Sequence, residues 1–313
     1  MHNRVTRRMP IWPFSLGEAE SYLRYLGILW ARREIAEAYM AFGGIPFYLN
    51  QLRPGMSLAQ NIDELCFERD AFMKGEFYTL FVSLFQHADR HVKVIEALCG
   101  RGNGMFREEL LDAAGIKSGG VATGVLEELE QCGFVGRYRD FSGKSGRFLY
   151  HVTDFFTLFY MRFMRSPRAG QKGYWTKTAG KGAYHDWAGK SFEKLCFLHF
   201  DCIARKLGIF GMAVAPYAWK CLQSSDGGNG AQIDMLIDRP DGIINVCECR
   251  FTNAQYSIDK SQEAELRERM AVFARETKTR KALHLTMVTA YGVRAGKYSG
   301  IVQSEVVLDD LFG

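Results

Sequence analysis

The chain has 313 residues, of which 47% are hydrophobic, and a formal net charge of +5. This length predicts about two or three domains, and the apolar content is ample for packed cores. The sequence has no apolar run of roughly eighteen residues, so no membrane span is expected. Its eight cysteines include no CxxC pair. Free thiols in a reducing cytoplasm are therefore expected, rather than a zinc site or a disulfide framework.

Residues 1–90 are predicted to form a small helical domain. Ser15 and Glu18 have the spacing of a capping box, which predicts the start of a helix that runs to about Trp30. Hydrophobic periodicity predicts further helices in this domain, at 33–42, 58–67 and 76–87.

Residues 91–160 are predicted to form a winged helix. Helices are expected at 91–99, 106–114 and 118–132, followed by wing strands at 134–138 and 147–153. The third helix would enter a major groove, yet it carries no lysine or arginine. The wing is more basic, which favours phosphate contact, and a rigid packing module is the alternative. The wing residues expected to bind nucleic acid are Arg137, Arg139, Lys144 and Arg147.

Residues 161–182 are predicted to be a basic linker. No acidic residue occurs between Asp154 and Asp186, and glycines and aromatic residues are interleaved with the positive charges. Such a segment suits a nucleic-acid backbone, and a solvated connector is the alternative. The linker residues expected to contact phosphate are Arg162, Arg165, Arg168 and Lys172.

Residues 183–313 are predicted to form a mixed sheet flanked by helices. A turn at 239–242 would make a hairpin of two apolar strands and bring Asp234 beside Glu248. The predicted order is a helix at 184–207, strands at 212–219, 231–237 and 243–251, a helix at 260–277 and a strand at 282–289.

Two carboxylates and a cation at adjacent strand ends suit a divalent metal ion and a phosphodiester. Asp234 and Glu248 are the expected ligands of Mg²⁺ or Mn²⁺, and Glu193 is expected to support the metal or orient water. Arg250 would stabilise developing charge. Lys260 is a second candidate cation, with a solvated helix residue as the alternative. For Glu248 and Arg250 the alternative is a surface ion pair of little energetic value.

The α-β-β-β-α-β order, with Glu193, Asp234 and Glu248-Cys249-Arg250, resembles the PD-(D/E)XK nuclease superfamily. The resemblance implies a restriction-endonuclease-like domain with a Mg²⁺-dependent nuclease site. The sequence departs from the superfamily pattern at Arg250, where that pattern has lysine. Arginine stays protonated and cannot act as a base, so an inactive site is also compatible with this sequence.

The chain from about Arg4 to about Gly292 resembles DEXX-box ATPases of archaea and bacteria, in the AAA/STAND group. The likeness lies in the segments 43–49, 231–234 and 248–251, which read GGIPFYL, AQID and ECRF. In that family an ATPase core precedes a helical lid. Residues 1–90 would correspond to the lid, and Met1 would lie near the end of a core that is missing or encoded separately.

The expected fold class is α+β and multidomain: a helical lid, a winged helix and an α/β nuclease-like domain with a mixed sheet. Gly189-Lys190-Ser191 and Gly143-Lys144-Ser145 lack the earlier glycine of a P-loop, so no ATP binding is expected. Two functions stay open. One is a nucleic-acid-associated protein, with DNA as the expected partner and a Mg²⁺-dependent nuclease-like domain. The other is a non-catalytic regulatory or DNA-binding part of an ATPase that assembles with a separate core subunit.

Overall fold

The computed structural model describes residues 11–101, 104–141, 147–166, 173–223 and 229–313. Within these ranges the chain has an α+β fold, with a five-stranded mixed sheet and a small antiparallel sheet. None of the helices in these ranges has the length and apolar character needed to cross a membrane.

Helices make up the first part of the described chain. The predicted capping box is present, since Ser15 and Glu18 exchange hydrogen bonds at the start of helix α1. This helix ends earlier than predicted because Gly27 adopts φ +79°, a left-handed conformation that terminates helices. The helices here are α1 (Leu16–Tyr25), α2 (Arg32–Phe42), α3 (Pro46–Leu49), α4 (Leu58–Ile62) with a π-helical continuation (Asp63–Phe67), a 3₁₀ turn (Phe72–Lys74) and α5 (Glu76–Leu84).

Three helices and a small sheet follow. Their order is the one predicted for residues 91–160, except that a short strand (Met105–Phe106), which was not predicted, lies between the first two helices. The sheet has the strand order β1-β3-β2, and both of its pairings are antiparallel. Its link to the large sheet is a bridge between Asp140 and Ala218. The elements are α6 (Ala88–Arg101), β1 (Met105–Phe106), α7 (Arg107–Ala113), α8 (Gly120–Gln131), β2 (Val135–Arg139) and β3 (Phe148–Val152).

Part of the segment predicted as a linker is packed into the core. Trp175 is fully buried and meets the rings of Phe159 and Phe163 edge-on, with centroids 5.0 Å apart in each pair. Asp63 accepts hydrogen bonds from the backbone N–H groups of Trp175 (2.6 Å) and Thr176 (3.0 Å). This distant carboxylate therefore caps a short helix. The helical elements of this region are α9 (Phe155–Phe159), a π-helical turn (Tyr160–Met164) and α10 (Tyr174–Thr178).

The last part of the chain contains the large sheet. Its strand order is β4-β5-β6-β7-β8, antiparallel from β4 to β6 and parallel from β6 to β8, so the predicted mixed sheet is present. The predicted helix at 184–207 is interrupted at His199. The elements are α11 (Gly182–Leu198), α12 (Phe200–Lys206), β4 (Pro216–Gln223), β5 (Asn229–Asp238), β6 (Ile243–Arg250), α13 (Lys260–Thr277), β7 (Ala282–Thr289), a 3₁₀ turn (Ser299–Ile301), β8 (Ser304–Val307) and a 3₁₀ turn (Leu308–Phe312).

Apolar side chains cover both faces of the large sheet. On one face, Cys247 of β6 joins a core that includes Phe192 of α11 and continues into the N-terminal helices. On the other face, Val246 packs in a cluster with Phe273 of α13. Because successive strand residues point to opposite faces, α11 and α13 approach strand β6 from opposite sides.

Candidate functional site

The candidate site lies where β5 and β6 separate. Met235 and Cys247 form the last pair of their ladder, and the next residues along the two strands are Asp234 and Glu248. Asp234 Oδ2 accepts a hydrogen bond from the backbone N–H of Cys249 at 2.9 Å. The carboxylate therefore satisfies a backbone donor beyond the end of the ladder, and the two acids lie on adjacent strands as predicted.

A β-bulge accompanies Asp234 on the other edge of β5. Tyr217 pairs with Leu236 but Trp219 pairs with Ile233, so two residues of β5 share one partner position on β4. The two residues of β5 that share this position are Asp234 and Met235. Bulges redirect side chains and are common beside active sites.

Glu248 is a buried carboxylate with a guanidinium on each oxygen. Its side chain is 3% exposed. Oε1 accepts a hydrogen bond from Arg250, and Oε2 accepts one from Arg269 Nη1 at 2.5 Å. Arg269 also binds Glu265 at 2.6 Å, which fixes the position of its side chain on α13. Charge-assisted hydrogen bonds of this kind are among the stronger ones in proteins.

Arg250 bridges the two predicted metal ligands. Its Nη1 lies 3.7 Å from Asp234 Oδ2 while its Nη2 binds Glu248. Burial opposes its charge, but the carboxylates of Glu248 and Asp234 prevail and raise the pKa of Arg250. Its side chain is nonetheless 35% exposed.

Glu193 completes the acidic cluster, as the sequence predicted. It projects from α11, and burial raises the pKa of its carboxyl group, which Lys194 opposes and Glu248 reinforces. Burial likewise raises the pKa of Asp234 well above its usual value, and the carboxylates of Glu248 and Glu193 add to this effect. The structure thus brings Glu193, Asp234, Glu248 and Arg250 together.

This cluster does not fit the divalent metal that the sequence led us to expect. Mg²⁺ is bound by carboxylate oxygens that are free to face it. Both oxygens of Glu248 face guanidinium groups, and Asp234 Oδ2 is bound to the backbone of Cys249. Within the described ranges, no three His, Cys, Asp or Glu side chains are placed to hold a metal ion together. The two arginines supply the positive charge instead.

Sequence reasoning missed Arg269. Its pairing with Glu265 has the i,i+4 spacing of an ordinary surface ion pair. One signal was present, because Arg269 stands at i+3 from Leu266 and at i−4 from Phe273, on a helix face that is otherwise apolar. Lys260, the predicted second cation, is exposed at the start of α13.

Two of the three described basic residues of the wing have acidic neighbours. Arg137 pairs with Glu130 at 3.2 Å, and Arg147 lies 3.7 Å from Asp140. Arg139 is exposed. The side chains of Arg137 and Arg147 are about half exposed, so the wing keeps a solvent-facing basic edge.

Two of the linker residues predicted to contact phosphate, Arg162 and Arg165, are described, and both are paired. Arg162 lies 3.5 Å from Asp186, and Arg165 lies 2.6 Å from Glu96. Both arginines are about half exposed. The other predicted phosphate-binding residues, Lys144, Arg168 and Lys172, fall outside the described residues.

Comparisons of this chain with protein-family models, with curated proteins and with solved structures found no match. The resemblances to PD-(D/E)XK nucleases and to DEXX-box ATPases therefore stay predictions. What the chain can do has to be inferred from its own side chains and their contacts.

Proposed function

We propose that this chain is a nucleic-acid-binding protein with a nuclease-like acidic centre that does not hydrolyse phosphodiesters. The observation that carries the proposal is the occupation of both Glu248 oxygens by Arg250 and Arg269. The three acids of the cluster face two guanidinium groups, which leaves one net negative charge when all five are ionised. A divalent cation is not needed to neutralise such a centre.

Metal binding would also require that these ion pairs be broken. Removing the partner of a buried charge costs about 3–5 kcal/mol, because the charge that is left cannot recover its hydration. Glu248 is buried and Arg269 mostly so. Mg²⁺ gives up its own water reluctantly. The free energy balance therefore favours the arginine-bound state over the metal-bound state.

The half-exposed arginines of the wing and of the predicted linker support the proposal that the chain binds nucleic acid. Exposed ion pairs such as Arg162–Asp186 contribute only about 0–1 kcal/mol, so an arginine can exchange its acidic partner for a phosphate at little cost. Contacts of this kind neutralise the backbone without reading the bases. We therefore expect binding that depends on salt and little on sequence.

A metal-dependent nuclease is the second candidate. It is favoured by the convergence of Glu193, Asp234 and Glu248 and by the partial exposure of the Arg250 side chain, which would let that side chain move when substrate arrives. The resemblance to DEXX-box ATPases supports a further role beside either candidate, as the DNA-binding part of an assembly with a separate ATPase core subunit.

A cleavage assay on the full chain separates the two candidates. Labelled single-stranded DNA, duplex DNA and RNA would be incubated with Mg²⁺ or Mn²⁺, and binding would be followed in parallel by mobility shift. The proposal predicts that the chain binds nucleic acid but does not cleave it. Cleavage that disappears in both Asp234→Ala and Glu248→Ala would overturn it and establish the nuclease.

Arg250→Lys is the sharper variant. It restores the cation of the superfamily pattern and frees one oxygen of Glu248. If Arg250 alone blocked a nuclease site, this change would raise cleavage. Our proposal expects no cleavage, because Arg269 still occupies Glu248 Oε2. The double variant Arg250→Lys with Arg269→Met tests whether both arginines together suppress activity.

A further inference from the structure

A separate cavity lies beside the acidic centre, between α6, the end of β3, the π-helical turn at Tyr160–Met164 and α11. Its volume is about 430 Å³, which falls in the range of small-molecule sites. Its lining combines apolar side chains with charged ones. The residues that matter here are Lys190, Lys194, His151, Trp187, Leu158 and Met161.

Lys194 is the first reason to regard this cavity as a binding site. It is only 8% exposed, and it lines the cavity. Among the described residues it has no ion pair within 4.0 Å and no hydrogen bond. Burial lowers the pKa of Lys194, and the nearby carboxylate of Glu193 offsets only part of that effect. A charge buried without a close partner is costly, because it has lost its hydration. An anion in the cavity would supply that partner.

His151 gives the cavity a fixed wall. Its Nε2 atom is buried without a hydrogen-bond partner in the described part of the chain, and the ring lines the same cavity. Gly104, at φ +68°, lies so close to the imidazole that a Cβ would collide with the ring. The ring is therefore held in place, with Nε2 covered by Gly104 rather than open to the cavity.

The charges at the cavity indicate an anion of two negative charges. At the rim, Arg162 pairs with Asp186 and Arg165 pairs with Glu96. The charges of these four side chains therefore sum to zero. The remaining cations are Lys190 and Lys194, one helical turn apart on α11. Two like charges at this spacing repel each other unless an anion lies between them.

Glu193 does not provide that anion inside the cavity. It lines a much smaller void, of about 20 Å³, on the other side of Lys194 and His151, together with Asp234. That void has room for about one water molecule. Lys194 and His151 thus form a partition between the larger cavity and the acidic centre.

We propose that the larger cavity binds a small phosphate monoester, with Lys190 and Lys194 on the phosphate oxygens and the ring of His151 in the wall beside them. A phosphate monoester carries close to two negative charges at neutral pH. Leu158, Met161 and Trp187 form the apolar wall against which the organic part packs. The proposal does not depend on the function proposed for the acidic centre.

Calorimetric titration of the full chain with ribose 5-phosphate tests this site, with ribose and inorganic phosphate as reference ligands. We expect ribose 5-phosphate to bind and ribose to show no binding up to about 1 mM. Lys190→Met and Lys194→Met should each weaken binding about tenfold or more, because each removes a charged hydrogen bond. Lys206→Met, on α12 and away from the cavity, should leave the affinity unchanged.

Thermal unfolding of the same variants separates binding from folding. Lys194→Met keeps the length of the side chain and removes a buried charge, so its Tm should equal or exceed that of the unaltered chain. Unchanged affinity in this folded variant would overturn the site, as would equal binding of ribose and ribose 5-phosphate, or no binding of ribose 5-phosphate.

A second titration distinguishes two possible ligands, the phosphorylated end of a nucleic-acid strand and a free sugar phosphate. A 5′-phosphorylated oligonucleotide and its 5′-hydroxyl counterpart carry the same backbone and differ only in the terminal phosphate. Tighter binding of the phosphorylated strand, lost in Lys194→Met, would assign the site to strand ends. Equal binding of both strands, with ribose 5-phosphate still bound, would assign it to free sugar phosphates.

Discussion

Arg269 Nη1 lies 2.5 Å from Glu248 Oε2, although one residue belongs to helix α13 and the other to strand β6. The other oxygen of Glu248 binds Arg250 on its own strand. The centre of the predicted metal site is therefore a carboxylate between two guanidinium groups. Its stability, its response to metal ions and its chemistry should follow from that arrangement.

Glu248→Gln should lower the free energy of unfolding by about 2–4 kcal/mol, because the buried amide leaves Arg269 without a charged partner. Urea unfolding, followed by circular dichroism, measures this loss. Glu265→Gln is the matched control, since Glu265 binds the same arginine but is 67% exposed. Its loss should stay below about 1 kcal/mol. Similar values for both variants would show that Glu248 is not the energetic centre of the cluster.

Metal affinity should rise when the arginines are removed. In Arg250→Met with Arg269→Met, both oxygens of Glu248 become free and the cluster keeps its three carboxylates without the two guanidinium groups. Mn²⁺ binding, measured by electron paramagnetic resonance, should become at least about tenfold tighter, which corresponds to 1.4 kcal/mol. Adding Glu248→Gln to this variant should reverse the gain. Tight Mn²⁺ binding by the unaltered chain would contradict our account of the centre.

Nucleic-acid affinity should depend on salt through the basic residues of the predicted linker. Changing Arg162, Arg165, Arg168 and Lys172 together to Ala should weaken binding uniformly across sequences. If all four contact phosphate, the slope of log Kd against log salt should fall by up to about 3.5. Fluorescence anisotropy at several salt concentrations measures the slope. A control that removes the same charge elsewhere changes Arg24, Arg53, Lys206 and Arg267 to Ala, and it should leave the slope nearly unaltered.

Acid should destabilise the contact between α1 and α11 through His199. Its Nε2 accepts the backbone N–H of Leu16 at 2.9 Å, and its Nδ1 lies 3.0 Å from the Leu195 carbonyl oxygen. This pattern requires a neutral ring with the proton on Nδ1. Burial lowers the pKa of His199, although the bond to Leu195 opposes the shift. Below about pH 6.5 the unfolded chain therefore takes up a proton that the folded chain resists.

The free energy of unfolding should thus fall as the pH decreases from about 6.5, with a slope of up to about 1.4 kcal/mol per pH unit from this residue. His199→Gln keeps an acceptor for Leu16 and cannot titrate, so its slope should be smaller. Burial also lowers the pKa of His151 well below its usual value, and a residual slope should remain. His185→Gln is the control on an exposed histidine, and an equal slope in both variants would contradict the assignment.

Local signals in the sequence were sufficient for several elements. Helix α13 and strand β7 have the predicted bounds, because the hydrophobic pattern that predicts them lies within the elements themselves. The break at His199 was not predictable. It coincides with a hydrogen bond to Leu16, a residue far away in the chain. Trp175 was assigned to a linker for a similar reason, since the carboxylate that caps its helix belongs to Asp63.

The candidate site was likewise predictable only where local sequence determines it. Adjacent strands and a turn between them were enough to predict that Asp234 and Glu248 come together, and the order of elements placed Glu193 near them. The partners of Glu248 decide its chemistry, and one of them, Arg269, reaches it through packing of α13 on the sheet. No spacing along the chain encodes that contact.

The double pairing of Glu248 also bears on how such a centre could change over generations. Replacing Arg250 alone leaves Arg269 on the carboxylate, and replacing Arg269 alone leaves Arg250 there. Either single replacement gives up an ion pair without freeing the whole carboxylate for a metal ion. A lineage would have to cross that less stable intermediate to convert one kind of centre into the other, so the arginine-bound form resists conversion by single substitutions.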